Sequence, residues 1–572
     1  MPIVRRDAQV ESRHNRFMDN RFVEQSTTLP ASAEAGTGAT SIYDRIALTL
    51  IAAAALVAAA TFRDYGLGWD DYTHAEYGDL LVTFYTSGFT DKRALSFVNL
   101  YMYGGGFDLL AALVAKVLPF TVFETRRLMG AVVGLVGLIV VWRTARRVGG
   151  SVAGLIALVL LVSCPLFVGH QLMNAKDGPF AVAMAILLLG LVRAFDQYPR
   201  PCAGTVALTG IGFGLAVGSR IMGGFGALSA LGALALIVTI DARRDGLRPA
   251  AGKLGAFVLA MLPGVILTLV VIALIWPWVV SAPLNLFHAI EYFSRFFEEP
   301  WQELFGGTLV RVTDMPRSYV PTLLALQLPE LFLLLGCGGV LGALVAAARR
   351  DLAPNRRAVL ALIALAALLP LAVTVLARPA MYNGIRHFVF VLPPLAVLGG
   401  LAGAWLFERA RSRAAVATLT VVFAAGIASP VIEMIRLHPY EYTHFNRIAG
   451  GVAGARDRYM LDYWALSFKE AALELKAKIA ELGLQKPADR RWKLATCGPH
   501  RSPQVELGPD FETTWDPKGA DFALMLGEFY CRRLDAPLWV EVARAGAVYA
   551  RVYDIRGRSY DTLLTQPGLP SL

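Results

Sequence analysis

Charge is the scarcest property of this chain. Only 17% of its 572 residues are Asp, Glu, Lys or Arg, where a soluble domain carries about 25%. That shortage excludes an ordinary cytosolic enzyme and a disordered protein. Five cysteines in so long a chain exclude a disulfide-built secreted scaffold. No glycine-rich phosphate loop sits between a strand and a helix, so the sequence offers no nucleotide unit. No segment repeats at a period of about 20–50 residues. The formal charge is +10, yet the basic residues form short clusters between apolar runs and no continuous stripe. A nucleic-acid partner is therefore not expected.

What the chain has in abundance is apolar surface: 56% of residues are hydrophobic. A single soluble core stops growing near ~250–300 residues, so this points to a polytopic membrane protein. A bilayer core needs roughly 20 apolar residues per helix. Spans are expected near 44–62, 125–143, 151–170, 178–195, 203–219, 222–240, 253–276, 321–347, 357–376, 387–407 and 413–432. A shorter run, 106–120, begins at Gly104-Gly105-Gly106 and ends at Pro119. It reads as re-entrant or interfacial, leaving about eleven crossings.

Loop charge supports that count. Arg143/Arg146/Arg147, Arg193/Arg200, Arg243/Arg244/Arg248/Lys253, Arg349/Arg350/Arg356/Arg357 and Arg409/Arg411/Arg413 all fall on one side if 106–120 does not cross. The tail residues Arg5, Arg6, Arg13, Arg16 and Arg21 fall there too. Basic loops face the cytoplasm. The organisation expected is a cytoplasmic tail 1–43, a transmembrane domain 44–432 with outer loops 63–124 and 277–320, and an extracytoplasmic domain 433–572. The polar tail ahead of the first span points to a retained anchor and not a cleaved signal.

The region after 433 is a shift in composition. Ser467 with Glu470 reads as a capping box. Phe468, Ala472, Leu475, Ile479 and Leu482 then follow helical spacing to Gly483. Trp492–Thr496, Phe522–Leu526, Val540–Ala543 and Val548–Tyr553 read as strands. The fold class is thus mainly α, a transmembrane helix bundle with a small α/β domain on its outer face. Cys164, Cys202 and Cys337 are expected to be apolar fillers. Cys497 and Cys531 could pair in an oxidising compartment.

Ionisable groups at a membrane edge are costly and ask for a reason. Four groups converge on the outer side. The first loop holds Trp69, Asp70, Asp71, His74, Glu76 and Asp79. Adjacent carboxylates repel, so one can serve as a base. A solvated loop with a helix cap, or a divalent-cation site of Asp70, Asp71, His74 and Glu76, are the other readings. Next comes Asn174-Ala175-Lys176-Asp177-Gly178-Pro179, a good helix start whose Lys176 no cap requires. Arg220 sits in a Gly-Ser-Arg turn, and Tyr382-Asn383-Gly384-Ile385-Arg386-His387 precedes a span. Arg is a preferred phosphate ligand. Leu286, Phe287, Ile290, Phe293 and Phe297, ended by Glu298-Glu299-Pro300-Trp301, read as an interfacial amphipathic helix.

In these motifs the chain resembles the bacterial members of the dolichyl-phosphate-mannose–protein mannosyltransferase-like family, membrane glycosyltransferases of the C type. The resemblance takes in most of 42–470, through Trp69-Asp70-Asp71, Asn174–Pro179, Met315-Pro316-Arg317-Ser318-Tyr319, Gly384–Phe388, and the aromatic stretch from His438 to Trp464. The aminoarabinose transferases are similar in layout. The resemblance implies a polyprenyl-phosphate sugar donor, an acceptor hydroxyl on a glycan, lipid or protein, and inversion at the anomeric carbon. It also implies residence in a bacterial cytoplasmic membrane, among its lipids. It places the base on Asp70. The family's second acid is Glu and here it is Asp71, which leaves open which carboxylate reaches the acceptor. Donor phosphate would then meet Lys176, Arg220, Arg386 and His387, with His74 and Glu76 orienting the acceptor and Asp177 orienting Lys176 or the acceptor. A secondary transporter or lipid-linked substrate flippase is the rival reading, and a non-catalytic scaffold a further one.

Overall fold

The computed structural model describes residues 41–294, 301–559 and 563. The tail arginines and the expected Phe297–Pro300 stop lie outside that set. Helix α1 (Ile42–Thr61) crosses first. Two short helices follow, α2 (Asp71–Thr86) and α3 (Gly106–Ala115). Ten residues of α-helix rise only about 15 Å, so α3 cannot cross, as the loop charges require. Gly104 explains how this segment is seated. A Cβ there would collide with the Gly218 carbonyl oxygen. Only glycine lets the start of α3 press against the end of a later span.

Helix α4 (Val122–Val162) covers two expected spans. It starts at a capping box that the sequence reading passed over: Thr121 and Glu124 exchange hydrogen bonds of 3.2 and 2.9 Å. Its path breaks at Gly150, where φ is +80°, a region that favours glycine. The chain doubles back there, and Gly154 packs against Trp142 and Arg146. Next come α5 (Pro165–Met173), α6 (Asp177–Asp196), α7 (Ala203–Ser219), α8 (Gly224–Asp245) and α9 (Leu247–Ile275). The outer loop carries α10 (Pro277–Ser281), α11 (Asn285–Ser294) and the hairpin β1 (Gln302–Phe305) and β2 (Thr308–Arg311). Phe287 and Ile290 on α11 are exposed, as an interfacial helix requires. The expected span 321–347 is split at Pro329 into α12 (Tyr319–Gln327) and α13 (Glu330–Ala348). The last spans are α14 (Pro354–Ala377), α15 (Leu392–Arg409), entered through a tight turn from Arg386, and α16 (Arg413–Leu437). Among the described residues, nine helices are long and apolar enough to cross a membrane.

Residues of three of the basic clusters are bonded into the ends of neighbouring helices. Arg146 pairs with Asp44 at 2.7 Å, Arg147 with Asp196 at 2.6 Å, and Lys253 with Asp241 at 3.3 Å. Asn355 donates to the Asp196 carbonyl, and Arg356 to that of Val148.

After α16, α17 (Gly451–Ala455) leads to α18 (Phe468–Glu481) and a five-stranded sheet. Its strands are β3 (Trp492–Cys497), β4 (Phe511–Thr514), β5 (Phe522–Leu526), β6 (Leu538–Arg544) and β7 (Ala547–Asp554), with α19 (Gln504–Leu507) before β4. Their order is β4-β3-β5-β7-β6. Strand β3 is parallel to both neighbours, and β7 is antiparallel to β5 and β6. All four expected strands are present, and β4 is an addition. Helix α18 buries Phe468, Ala472, Leu475 and Ile479, while Leu482 stays exposed. The expected box at Ser467 does not form. Glu470 instead accepts from Tyr440 and Arg544, both at 2.7 Å, and the Asp462 carboxylate accepts the Ser467 N–H. Tertiary partners outbid a local cap. Cys497 and Cys531 are joined by a disulfide. The described residues from Tyr43 onward form one compact unit.

His438, just past α16, ties α1's exit to this region. Its ring nitrogens lie 2.6 Å from Glu441 and 2.9 Å from Asp64. The Glu441 bond, aided by Asp64 and opposed by partial burial, raises its pKa to about 9. A folded-state pKa above the unfolded value of about 6.5 gives stability that is full below ~6.5 and lost as pH rises through 9. The melting-temperature advantage of wild type over His438→Gln is therefore expected to shrink between pH 6.5 and 10. A pH-independent difference in thermal unfolding would remove this ion pair from the stability of the fold.

Candidate active site

The chain leaving α1 must turn at once to start α2, and buried charge organises that turn. Asp71, the first residue of α2, accepts the Gly68 N–H at 2.7 Å. Arg127, one turn into α4, grips both Asp71 oxygens at 3.0 and 2.6 Å. The same guanidinium holds the carbonyls of Gly66 and Met173 at 2.6 and 3.1 Å. Both side chains are 4% exposed. Asp71 is committed to holding the turn.

Asp70, one residue earlier, points elsewhere. Its side chain is 39% exposed and lies 3.7 Å from the Lys176 ammonium. It makes no side-chain cap to α2. Partial desolvation pushes its pKa up, but Lys176, His74 and Arg386 outweigh that and hold it below the ordinary range. The carboxylate is therefore ionised near neutral pH, able to accept a proton.

Lys176 ends the α5–α6 link, where Asn174 Oδ1 accepts the N–H groups of residues 176 and 177. Its ammonium sits 4.7 Å from the Tyr103 ring centre, and the Arg220 guanidinium is 5.8 Å from the same ring. Asp177 starts α6 and does not orient Lys176. It pairs with Arg220 at 2.6 Å, faces Arg386 at 3.8 Å and accepts from Asn174 at 2.7 Å. Arg386 lies between the rings of Tyr382 and Trp464, 4.8 and 4.9 Å away, a favourable cation–π setting. Its Nε and Nη1 have no hydrogen-bond acceptor among the described residues, and neither does Arg220 Nε. His387 packs edge-on against Tyr382 at 5.0 Å.

His74 faces the same region, with Nδ1 2.7 Å from Asp108, whose other oxygen meets Arg126 at 2.5 Å. With Tyr103, Phe107, Lys176, Pro179 and Ser219 it lines a narrow pocket. Glu76 is exposed on α2. Of the four residues in the divalent-cation reading, Asp71 is taken by Arg127, His74 by Asp108, and Glu76 faces outward. Among the described residues no group of three His, Cys, Asp or Glu side chains could hold a metal ion.

Sequence reasoning missed Arg126, Arg127, Asp108, Tyr103, Trp464 and Glu303. The arginine pair carried a signal. Two adjacent arginines at the outer end of a span break the cytoplasmic charge bias. Glu303 carried none. It is buried in the outer-loop hairpin and accepts from the Asn383 N–H at 2.8 Å and the Tyr319 hydroxyl at 3.4 Å. Burial raises its pKa to about 7. It pins the turn at Asn383 and Gly384, both at positive φ, that delivers Tyr382 and Arg386.

No curated protein matches this chain in sequence. Among solved structures it is similar to ArnT from Cupriavidus metallidurans in the apo state, at 16% identity and TM-score 0.46, covering 88% of this chain and 97% of that one. It is similar to the Archaeoglobus fulgidus oligosaccharyltransferase in the apo form, at 14% identity and TM-score 0.45, covering 78% of this chain. The match takes in 62% of that longer protein. The arabinofuranosyltransferase AftD from Mycobacteria matches at 15% identity and TM-score 0.41, over 92% of this chain and 40% of that one. Residues 106–278, which hold Asp108, Arg126, Arg127, Lys176, Asp177 and Arg220, match the family model of the dolichyl-phosphate-mannose-protein mannosyltransferases, and there the resemblance read from the sequence motifs is borne out.

Proposed function

We propose that the chain is an inverting glycosyltransferase that moves a sugar from a polyprenyl-phosphate donor to an acceptor hydroxyl at the outer face of a bacterial cytoplasmic membrane. The observation that carries this reading is the meeting, at one end of the bundle, of an ionised and accessible Asp70 with three cations, Lys176, Arg220 and Arg386. Two features support the outward orientation. The arginine-rich loops lie at the opposite end, as cytoplasmic loops do. The Cys497–Cys531 disulfide lies beyond the last span, and such bonds persist in oxidising compartments.

In the proposed reaction Asp70 takes the acceptor's hydroxyl proton while that oxygen bonds to the anomeric carbon. The bond from carbon to phosphate oxygen breaks, and its electron pair leaves with the polyprenyl phosphate. The cations meet the charge that develops there. One charge pair at 4 Å and an effective dielectric near 20 is worth roughly 4 kcal/mol before desolvation. Asp71, through Arg127, positions the turn that carries the base. His74 and Tyr103 shape the sugar pocket, and Glu303 and Asp177 position Arg386.

Purified protein in proteoliposomes with a labelled polyprenyl-phosphate sugar should release polyprenyl phosphate in step with acceptor glycosylation. Accumulation of label in the lumen without product would favour a transporter. The pH profile is a further check. In the free protein Lys176 holds the Asp70 pKa down. Bound donor phosphate neutralises Lys176 and adds its own negative charge, so the Asp70 pKa rises in the complex. The acid limb of kcat should therefore lie at higher pH than that of kcat/KM. Coincident limbs would count against Asp70 as the base.

A further inference from the structure

A second pocket, of ≈ 660 Å³, lies where the end of α16 meets the start of α13 and the 444–451 segment. It shares no lining residue with the pocket beside Lys176. Glu330, Ser429, Glu433, His444 and Arg447 give it a polar wall. The 444–451 segment is fixed in place. Asn446 donates to the carbonyls of Ala325, Leu326 and Leu328 at 2.7–2.8 Å, and Glu330 accepts the Arg447 N–H at 2.8 Å. The pocket is thus pre-formed.

His444 is the group that asks for a partner. It is 4% exposed, and neither ring nitrogen has a hydrogen-bond partner among the described residues. A buried imidazole offers one donor and one acceptor when neutral, and leaving both unused is unfavourable. The surroundings have the opposite character. On the neighbouring faces of α16 Ile432 and Ile435 are 47% and 74% exposed, and Ile448 beside Arg447 is 65% exposed. α16 itself is apolar enough to span a membrane. A polar pocket at the end of a helix whose other faces are apolar and exposed suits a molecule with a polar head and hydrocarbon tails. The wall's charges are two carboxylates and one guanidinium, with Glu433 otherwise held only in a surface pair with Arg436. They match a head bearing both an ammonium and a phosphate.

We propose that this pocket binds the headgroup of a zwitterionic phospholipid with a primary ammonium, Glu433 and Glu330 meeting the ammonium, Arg447 the phosphate, and His444 a polar oxygen of the head. The site is separate from the sugar-transfer chemistry, so its test uses binding alone. Full-length protein is equilibrated in vesicles of equimolar phosphatidylethanolamine and phosphatidylglycerol, purified, and its retained lipid measured by native mass spectrometry. Wild type should retain phosphatidylethanolamine over phosphatidylglycerol by at least about fivefold. Glu433→Gln and Ser429→Phe, the latter filling the pocket, should each bring that ratio near one with unchanged thermal unfolding. His444→Phe should do the same if it folds, and the first two variants decide the matter if it does not. Equal retention of the two lipids by wild type, or an unchanged preference in both Glu433→Gln and Ser429→Phe, would overturn the proposal. Glycerophosphoethanolamine binding as tightly as the whole lipid would also overturn it, in favour of a soluble ligand.

Discussion

Replacing Asp70 by Asn is expected to lower sugar transfer by about 10²–10⁴-fold, the span a positioned general base contributes, while leaving the fold intact. Asn keeps the shape of the side chain and cannot take a proton at neutral pH. The structural cost should be small, because the Asp70 carboxylate caps no helix and meets Lys176 only at 3.7 Å. Initial rates with labelled lipid-linked sugar, paired with thermal unfolding in detergent, separate the two effects. A variant that transfers at the wild-type rate would take Asp70 out of the mechanism.

The neighbouring substitution should fail in a different way. Asp71→Asn leaves the Arg127 guanidinium buried with its paired carboxylate charge removed. Breaking one side of a buried pair typically costs about 3–5 kcal/mol, a large share of the ~5–15 kcal/mol that holds a protein folded. A marked fall in melting temperature is expected, with Asp71→Asn/Arg127→Gln recovering part of it because the two residues share one interaction. If Asp71→Asn unfolds like wild type yet transfers no sugar, the roles of the two acids are reversed.

The contrast between these adjacent residues marks where the sequence stops being readable. Hydropathy and loop charge indicated the spans and the short α3, because those signals are local and set by the bilayer. Short runs rich in strand-forming apolar residues indicated β3, β5, β6 and β7, again a local signal. Asp70 and Asp71 look alike in the chain, and only Arg127, 56 residues away, distinguishes them. The Asp177–Arg220–Arg386 cluster likewise joins three helix ends far apart in sequence. The Ser467 box was lost to Asp462, Tyr440 and Arg544, partners no local pattern reveals. The break at Pro329 did have a local signal, Gln327-Leu328-Pro329-Glu330, outweighed by the apolar runs on either side of it.

Asp177 has one more consequence under the proposed reaction. Two guanidiniums in a partly dry site would otherwise trap any passing anion. With this carboxylate as resident counter-ion, an incoming phosphate must exchange with it and gains only the difference between two ionic contacts. Free phosphate is then a poor competitor. A donor whose hydrocarbon chain adds tens of buried methylenes, each worth about 0.8 kcal/mol, clears that threshold easily. Selectivity for a lipid carrier would thus come from an anion the protein already keeps in place.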